Sequence, residues 1–222
     1  AAWMGVLRRV AVGRQVGGEV GAIRRHGAVN VVAVDILCKG RWAGHESGQF
    51  AFVTLHEDEG PHPYTISSAW TGDGHITFII KALGDYTRTL SERVHVGDVV
   101  KLEGPYGRFT FQGAQKRQIW VGAGIGITPF ISRMKALAAD VTAALEQAYP
   151  DRKWYLHVAR IYRDARRLHG NGPYKENLWF TLRCDSSRGP EIPAFYFEIT
   201  PHNYSYGMGF YWAKANTMAC FR

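Results

Sequence analysis

The run KRQIWVGAGIGITPFISRMKAL at positions 116 to 137 limits what this chain can fold into more than any other stretch. Ile119 to Val121 is a short apolar run with β-branched residues at both ends, which predicts a buried strand. It leads directly into a turn without side-chain bulk at Gly122, Gly124 and Gly126, and Thr128-Pro129 then opens a helix. Thr128 is placed to cap that helix, and Pro129 suits the first helical position, where its missing N–H costs nothing. Phe130, Met134, Leu137, Val141 and Leu145 recur as one apolar stripe. Strand, tight turn and exposed helix start together predict an anion site. The same glycines also suit a plain crossover in which strand and helix pack closely. Ile127 stands where the full G-x-G-x-x-G fingerprint has its third glycine, so the motif by itself indicates a phosphate-bearing ligand near a helix end.

Upstream, residues 5 to 113 read as mostly strand. Val29 to Ile36, Gln49 to Leu55, Tyr64 to Ser68, His75 to Ile80 and Val99 to Glu103 are strand candidates, and Thr87 to Arg93 is a brief helix. Short strands separated by turn residues predict a small antiparallel barrel. Glycine and polar residues at Gln112 to Lys116 mark a boundary, giving domains over 1–113 and 114–222. Downstream, Trp154 to Ala159 and Leu178 to Leu182 are strands which, with the helix before them, predict a parallel α/β sheet. Beyond Gly189 the pattern is atypical. Phe195 to Ile199 reads as a strand, His202 to Gly209 as a loop and Trp212 to Cys220 as a weak helix.

A chain of 222 residues with formal charge +8 has enough length for two cores and a basic surface suited to phosphorylated ligands. No dense basic block interleaved with aromatics is apparent, so nucleic acid is not an expected partner. Cys38, Cys184 and Cys220 form no CxxC pair or zinc pattern, and no metal is expected. No apolar run is long enough to cross a bilayer, and no leader is visible; the apolar stretch Ala1 to Leu7 reads as a first strand or a membrane-partner contact. GxSxG and HExxH are absent, which argues against hydrolysis and for chemistry carried by cofactors.

Three more segments carry ligand-binding character. His62-Pro63-Tyr64-Thr65-Ile66-Ser67-Ser68 puts an imidazole, a phenol and hydroxyls into one extended run, suited to a flat heterocycle. Lys81-Ala82-Leu83-Gly84-Asp85-Tyr86-Thr87-Arg88 is a glycine turn entering a helix, where free backbone N–H groups suit a pyrophosphate. Gly104-Pro105-Tyr106-Gly107-Arg108-Phe109 is a rigid turn.

HPYTISS, IKALGDYTRTL, EGPYGRF and IWVGAGIGITPF, in this order, resemble the dehydrogenase domain of ferric reductases and NADPH oxidases, within the ferredoxin–NADP reductase superfamily. The resemblance covers about residues 27 to 160. It implies a ferredoxin reductase-like pair of domains: an antiparallel Greek-key β-barrel binding FAD, followed by a parallel-sheet α/β domain binding NADPH, or NADH. It places His62, Pro63, Tyr64 and Thr65 around the isoalloxazine and ribityl–phosphate region, and Ser67 near flavin N5. It places Ile80, Lys81, Gly84, Tyr86 and Thr87 near the pyrophosphate and adenine side. Gly122, Gly124, Gly126, Thr128 and Pro129 then form the nicotinamide-nucleotide loop, with Thr128 at the nicotinamide amide; Ser67 and Thr128 are the implied catalytic pair. Arg160, with Arg163, Arg166 and Arg167, suits the 2′-phosphate of NADPH, although Asp164 lies among them.

Hydride transfer to flavin is implied, followed by single electrons to a haem-containing transmembrane domain or subunit, ferric iron or oxygen. A soluble reductase serving a small acceptor protein and a non-catalytic flavin-binding or structural subunit are the alternatives. The implied location is cytoplasmic, at a membrane face. Two departures from the family stand out: neither Cys184 nor Cys220 is followed by Gly-Pro, and only Phe221 is placed to be the terminal aromatic.

Overall fold

The computed structural model describes residues 14–113, 118–161, 163, 172, 174–184, 193–210 and 215–219. The chain forms two compact units, Ala1–Ala136 and Leu137–Arg222. The apolar start Ala1 to Leu7, Asp164, Arg166, Arg167, Cys220 and Phe221 lie outside the described residues.

The first unit contains β1 (Gln15–His26), β2 (Val31–Cys38), β3 (Phe50–Thr54), β4 (His62–Thr65), β5 (His75–Lys81), α1 (Asp85–Arg93) and β6 (Val99–Tyr106). The strands pair antiparallel in the order β4-β3-β6-β1-β2-β5. The expected closed Greek-key barrel is therefore an open sheet. No ladder joins its edge strands; they meet through an isolated Ile66–Phe78 bridge, side-chain contacts and the Ser67 N–H, which donates to Thr77 O at 2.9 Å. β4 is too short for a closing ladder, and Pro63 within it has no N–H to donate.

Alternation sends Val34, Ile36, Val53, Ile66, Ile76, Phe78, Val100 and Leu102 to a core from which water is excluded, and α1 adds Leu90. Arg25 closes the carbonyl end of α1, its guanidinium donating to Ser91 O at 2.7 Å and Val94 O at 3.1 Å. Gly48 (φ +97°) is required by close approach, because a Cβ there would lie 1.9 Å from Phe109 O.

Helix α2 (Thr128–Ala148) forms where the apolar stripe predicts it. It is entered through a 3₁₀ turn, Gly124–Ile127, and Thr128 already has helical φ and ψ. Thr128 is thus not an exposed cap. It is 2% exposed, and its hydroxyl donates back to Ile125 O at 2.7 Å. Ile119 to Val121 is not a strand; Ile119 is 92% and Val121 83% exposed.

The second unit carries β7 (Trp154–Val158), β8 (Leu178–Cys184), β9 (Ala194–Ile199), β10 (Tyr204–Gly209) and the short α3 (Ala215–Ala219). Its sheet, ordered β10-β9-β8-β7, is antiparallel throughout, which overturns the parallel α/β expectation. β7 and β8, expected side by side in a parallel sheet, pair head to tail from Trp154↔Cys184 to Val158↔Phe180. Parallel pairing needs a crossover element, and among the described residues no helix lies between β7 and β8. His202 to Gly209, expected as loop, supplies edge strand β10. One face of this sheet is buried at its centre by Phe180 and Leu182.

Candidate functional site

β4 and the start of α1 bring together His62, Tyr64 and Tyr86. His62 stacks on Tyr86 with centroids 4.9 Å apart and planes at 20°, and on Tyr64 at 6.3 Å and 25°. These three rings form a continuous aromatic surface running from β4 to α1. Behind it, His56 makes two hydrogen bonds that fix its tautomer. Its Nε2 lies 3.3 Å from Arg93 O, an acceptor only, so Nε2 carries the proton. Nδ1 then accepts from the Tyr86 hydroxyl at 2.9 Å. Arg93 lies over the Tyr86 ring and is held by Asp58 at 2.7 Å and Glu59 at 3.2 Å.

Two polar atoms in this surface have no partner. His62 Nε2 and Tyr64 Oη are buried and unbonded, an arrangement that costs free energy unless a ligand supplies the bond. Burial pushes the Tyr64 phenol far up, and that of Tyr86 up to about 12, so both remain neutral donors at ordinary pH. Pro63 is exposed on the sheet edge, with Thr65 half-buried beside it.

The entry to α1 is organised by Thr87. Its Oγ1 accepts from Leu83 N–H at 3.0 Å and Gly84 N–H at 2.9 Å. The first-turn N–H groups beyond Gly84 have no intrahelical acceptor, which makes this end of α1 suited to an anion. Asp85 at that end is fully exposed and pairs with Arg88 at 3.6 Å. Ile80 is buried and Lys81 half-buried at the end of β5, leading into this turn.

Ser67 is fully buried, and its Oγ–H and N–H both donate to Thr77 O at 2.9 Å. Gly122 lies against the Phe130 ring, which a Cβ would approach to 2.6 Å. That ring stacks on Trp120 at 5.6 Å and contacts Phe109 and Phe111. Gly124 adopts φ +54° in open space, and Gly126 closes the turn with an N–H bond to Ala123 O. Arg160 belongs to the second unit, exposed just after β7.

Sequence reasoning missed several groups. Ser132 on α2 is fully buried and donates to Ser68 O at 2.8 Å. Asp35 accepts from both His75 Nδ1 at 2.8 Å and Thr77 Oγ1 at 2.9 Å. His45 takes a proton from Trp42 Nε1 at Nδ1 and gives one to Ser68 O from Nε2, with burial lowering its pKa. Ser132 has no local signal, whereas Trp-x-x-His at 42 to 45 is visible in hindsight. Among the described residues no cluster could hold a metal, and burial pushes the Cys38 thiol up to about 11, which keeps it unreactive.

Residues 25–110 match the family model described as "FAD-binding domain", and residues 128–222 match "Conserved hypothetical protein (DUF2461)". The reductase component of propane 2-monooxygenase from Rhodococcus jostii is 29% identical, covering 43% of this chain and 27% of that protein. Ferric reduction oxidase 8 of Arabidopsis thaliana is 32% identical over 48% of this chain and 16% of its own length. Respiratory burst oxidase homolog protein A of Solanum tuberosum is 33% identical over 47% and 13%. The chain thus spans about a quarter or less of these three relatives. Among solved structures, the ferredoxin reductase of carbazole 1,9a-dioxygenase is 25% identical over 55% of this chain and 38% of that one, with TM-score 0.46.

Proposed function

We propose that this chain is the flavin-holding part of an NAD(P)H-dependent oxidoreductase: residues 25–110 match an FAD-binding family model, and the proteins similar to this part include a ferric reduction oxidase and a respiratory burst oxidase homolog. The observation that carries the reading is the pair of buried, unbonded polar atoms, His62 Nε2 and Tyr64 Oη, beside the Tyr86 stack. A flat heterocycle with polar edges would satisfy both atoms and cover the rings. When bound, FAD supplies the step that side chains cannot: it takes two electrons with a hydride and releases them one at a time.

The chain's own residues bind and orient. Tyr64 and His62 present the ring surface and two polar contacts, with Pro63 and Thr65 beside them. Ile80, Lys81 and Gly84 lead into the first turn of α1, whose backbone N–H groups at Tyr86 and Thr87 would be offered to a pyrophosphate. Ser67 and Thr128 have both hydroxyl protons engaged with backbone carbonyls, so their role is to hold the two segments in place rather than to transfer protons. NADPH, or NADH, is the proposed donor, approaching through the turn of Gly122, Gly124, Gly126 and Pro129. A haem-containing membrane domain, ferric iron, oxygen or a small acceptor protein receives the electrons. Among the described residues no helix is long and apolar enough to cross a membrane.

A second reading, a flavin-binding module without nicotinamide turnover, is favoured by one finding. Residues 128–222 match a different family, the described strands among them pair antiparallel, and Ile119 to Val121 is exposed and unpaired rather than a strand. Anaerobic addition of NADPH to the purified, FAD-loaded chain separates the two. Bleaching of the yellow protein supports the reductase. Yellow protein that neither NADPH nor NADH bleaches supports the module, and protein that stays colourless when offered FAD contradicts both.

A further inference from the structure

The face of the second sheet opposite Phe180 and Leu182 has an organisation that neither flavin nor nicotinamide chemistry uses. Alternation places Tyr155 and His157 of β7, Trp179, Thr181 and Arg183 of β8, and Tyr196 of β9 on this side. Tyr155 is 45% and Tyr196 40% exposed, and His157 and Arg183 are also exposed. Cations are interleaved with the rings. Lys153 Nζ lies 5.3 Å from the Tyr155 centroid, Lys175 Nζ lies 5.7 Å from that of Trp179, and His157 packs against Trp179 at 5.5 Å. Arg183 stands directly across the ladder from Tyr155.

One local detail shows how a ring is presented on this face. Tyr196 lies over Gly207 of β10, where a Cβ would come within 3.2 Å of the ring, so the absent side chain lets the phenol lie against the sheet with its outer face open.

Positive charge is in excess. Positions 151 to 184 contain eight Lys and Arg (152, 153, 160, 163, 166, 167, 175, 183) against three Asp and Glu (151, 164, 176). Burial and the neighbouring positive charges of Arg163 and Arg160 lower the pKa of Lys175, as expected in a field that favours anions. Glu198 is an acidic group on this face, and its carboxylate is taken up by the Asn177 side-chain amide.

Rings and cations interleave only once β7, β8 and β9 pair, so sequence order does not show them together. Contrary to the expectation drawn from it, we infer that this sheet face binds single-stranded nucleic acid, with Tyr155, Trp179 and Tyr196 stacking against bases and Lys153, Lys175 and Arg183 neutralising phosphates. The register steps Tyr155, Tyr196 and Trp179 along the sheet by one β-repeat each, roughly 7 Å, on three different strands about 5 Å apart, and planar stacking on aromatics with cations at the backbone is the physical basis of sequence-tolerant single-strand binding. A duplex hides its base faces, and a sugar polyanion or an anionic lipid surface has none, so the aromatic rings argue for the single strand.

The test is fluorescence anisotropy of a labelled 20-residue oligothymidylate titrated with the full chain, beside an abasic strand of the same length. The expected result is saturable binding that weakens roughly 20- to 50-fold between 50 and 200 mM salt, from three to four phosphate contacts. The abasic strand should bind at least about tenfold more weakly. Tyr155→Ala and Tyr196→Ala should each cost roughly tenfold, whereas Tyr206→Ala, exposed on the opposite face, should leave affinity unchanged. Equal binding of the abasic strand would reduce the surface to simple electrostatics and overturn the proposal. So would a flat titration, or tyrosine variants of either face behaving alike. Tyr155, at an exposed position on edge strand β7, serves if the Tyr196 variant fails to fold.

Discussion

Tyr86 ties the aromatic surface to the rest of the first unit, and its contacts can be removed one at a time. Tyr86→Phe deletes only the hydroxyl that donates to His56 Nδ1 at 2.9 Å. A neutral, half-buried hydrogen bond contributes about 0.5–1.5 kcal/mol net. For a protein of this size that corresponds to a Tm loss of roughly 2–5 °C. Tyr86→Ala additionally removes the ring stacked on His62 at 4.9 Å, an aromatic pair contributing about 0.5–1.5 kcal/mol beyond its buried area. Its packing against the core is lost as well, so the alanine variant should cost about 2–4 kcal/mol. Urea denaturation with matched slopes reads both values. In a His56→Ala background the phenylalanine substitution should cost almost nothing, because the acceptor has gone. Equal losses for Phe and Ala, or no loss for Phe beside intact His56, would refute the contacts assigned to this residue.

Gly48→Ala should destabilise the first unit by about 2–4 kcal/mol, since its Cβ would meet Phe109 O at 1.9 Å in a left-handed conformation; a urea midpoint equal to wild type would exclude that packing. His45 should make stability fall with acid. Its folded pKa is lowered from 6.5, so below about pH 6.5 the unfolded chain binds the extra proton and stability is lost as pH drops toward the folded value. His45→Gln should flatten that loss, and an unchanged pH profile in the variant would count against it. Gly124→Val should abolish bleaching by NADPH while leaving bound flavin, because φ +54° does not suit a β-branched residue; loss of flavin together with bleaching, in a folded protein, would contradict the proposed division between the two segments.

The first unit was legible wherever side chains alternate against one core. His75 to Ile80 and Val99 to Glu103 show their inward residues directly in the sequence, and both are strands. β1 was not legible, because QVGGEVGAIRRH mixes glycine and charge and its register shifts between Val20 and Ala22. Ile119 to Val121 misled for a different reason. Three apolar residues predict a strand only if a neighbouring strand supplies hydrogen bonds, and no local pattern reveals that neighbour. The direction of β7 against β8 is equally invisible, since parallel and antiparallel strands share the same alternation. β10 was hidden by its glycines, although Tyr204, Tyr206 and Met208 alternate outward. For the candidate site, the HPYTISS and LGDYT segments named the aromatic residues, but their meeting depends on contacts between β4 and α1. The bonds of Ser132 to Ser68 and of Asp35 to His75 span 64 and 40 residues, beyond the reach of any periodicity.

The most direct measurement is a titration of FAD into the purified chain, followed by flavin fluorescence and the visible spectrum, for wild type and for His62→Ala with Tyr64→Phe. One equivalent of flavin should bind to the wild type with a resolved visible band, and the double variant should bind at least about tenfold more weakly, because two buried polar partners have been withdrawn. A wild-type chain that leaves FAD free in solution, or a double variant that binds it as tightly, would contradict a flavin held on β4 and α1.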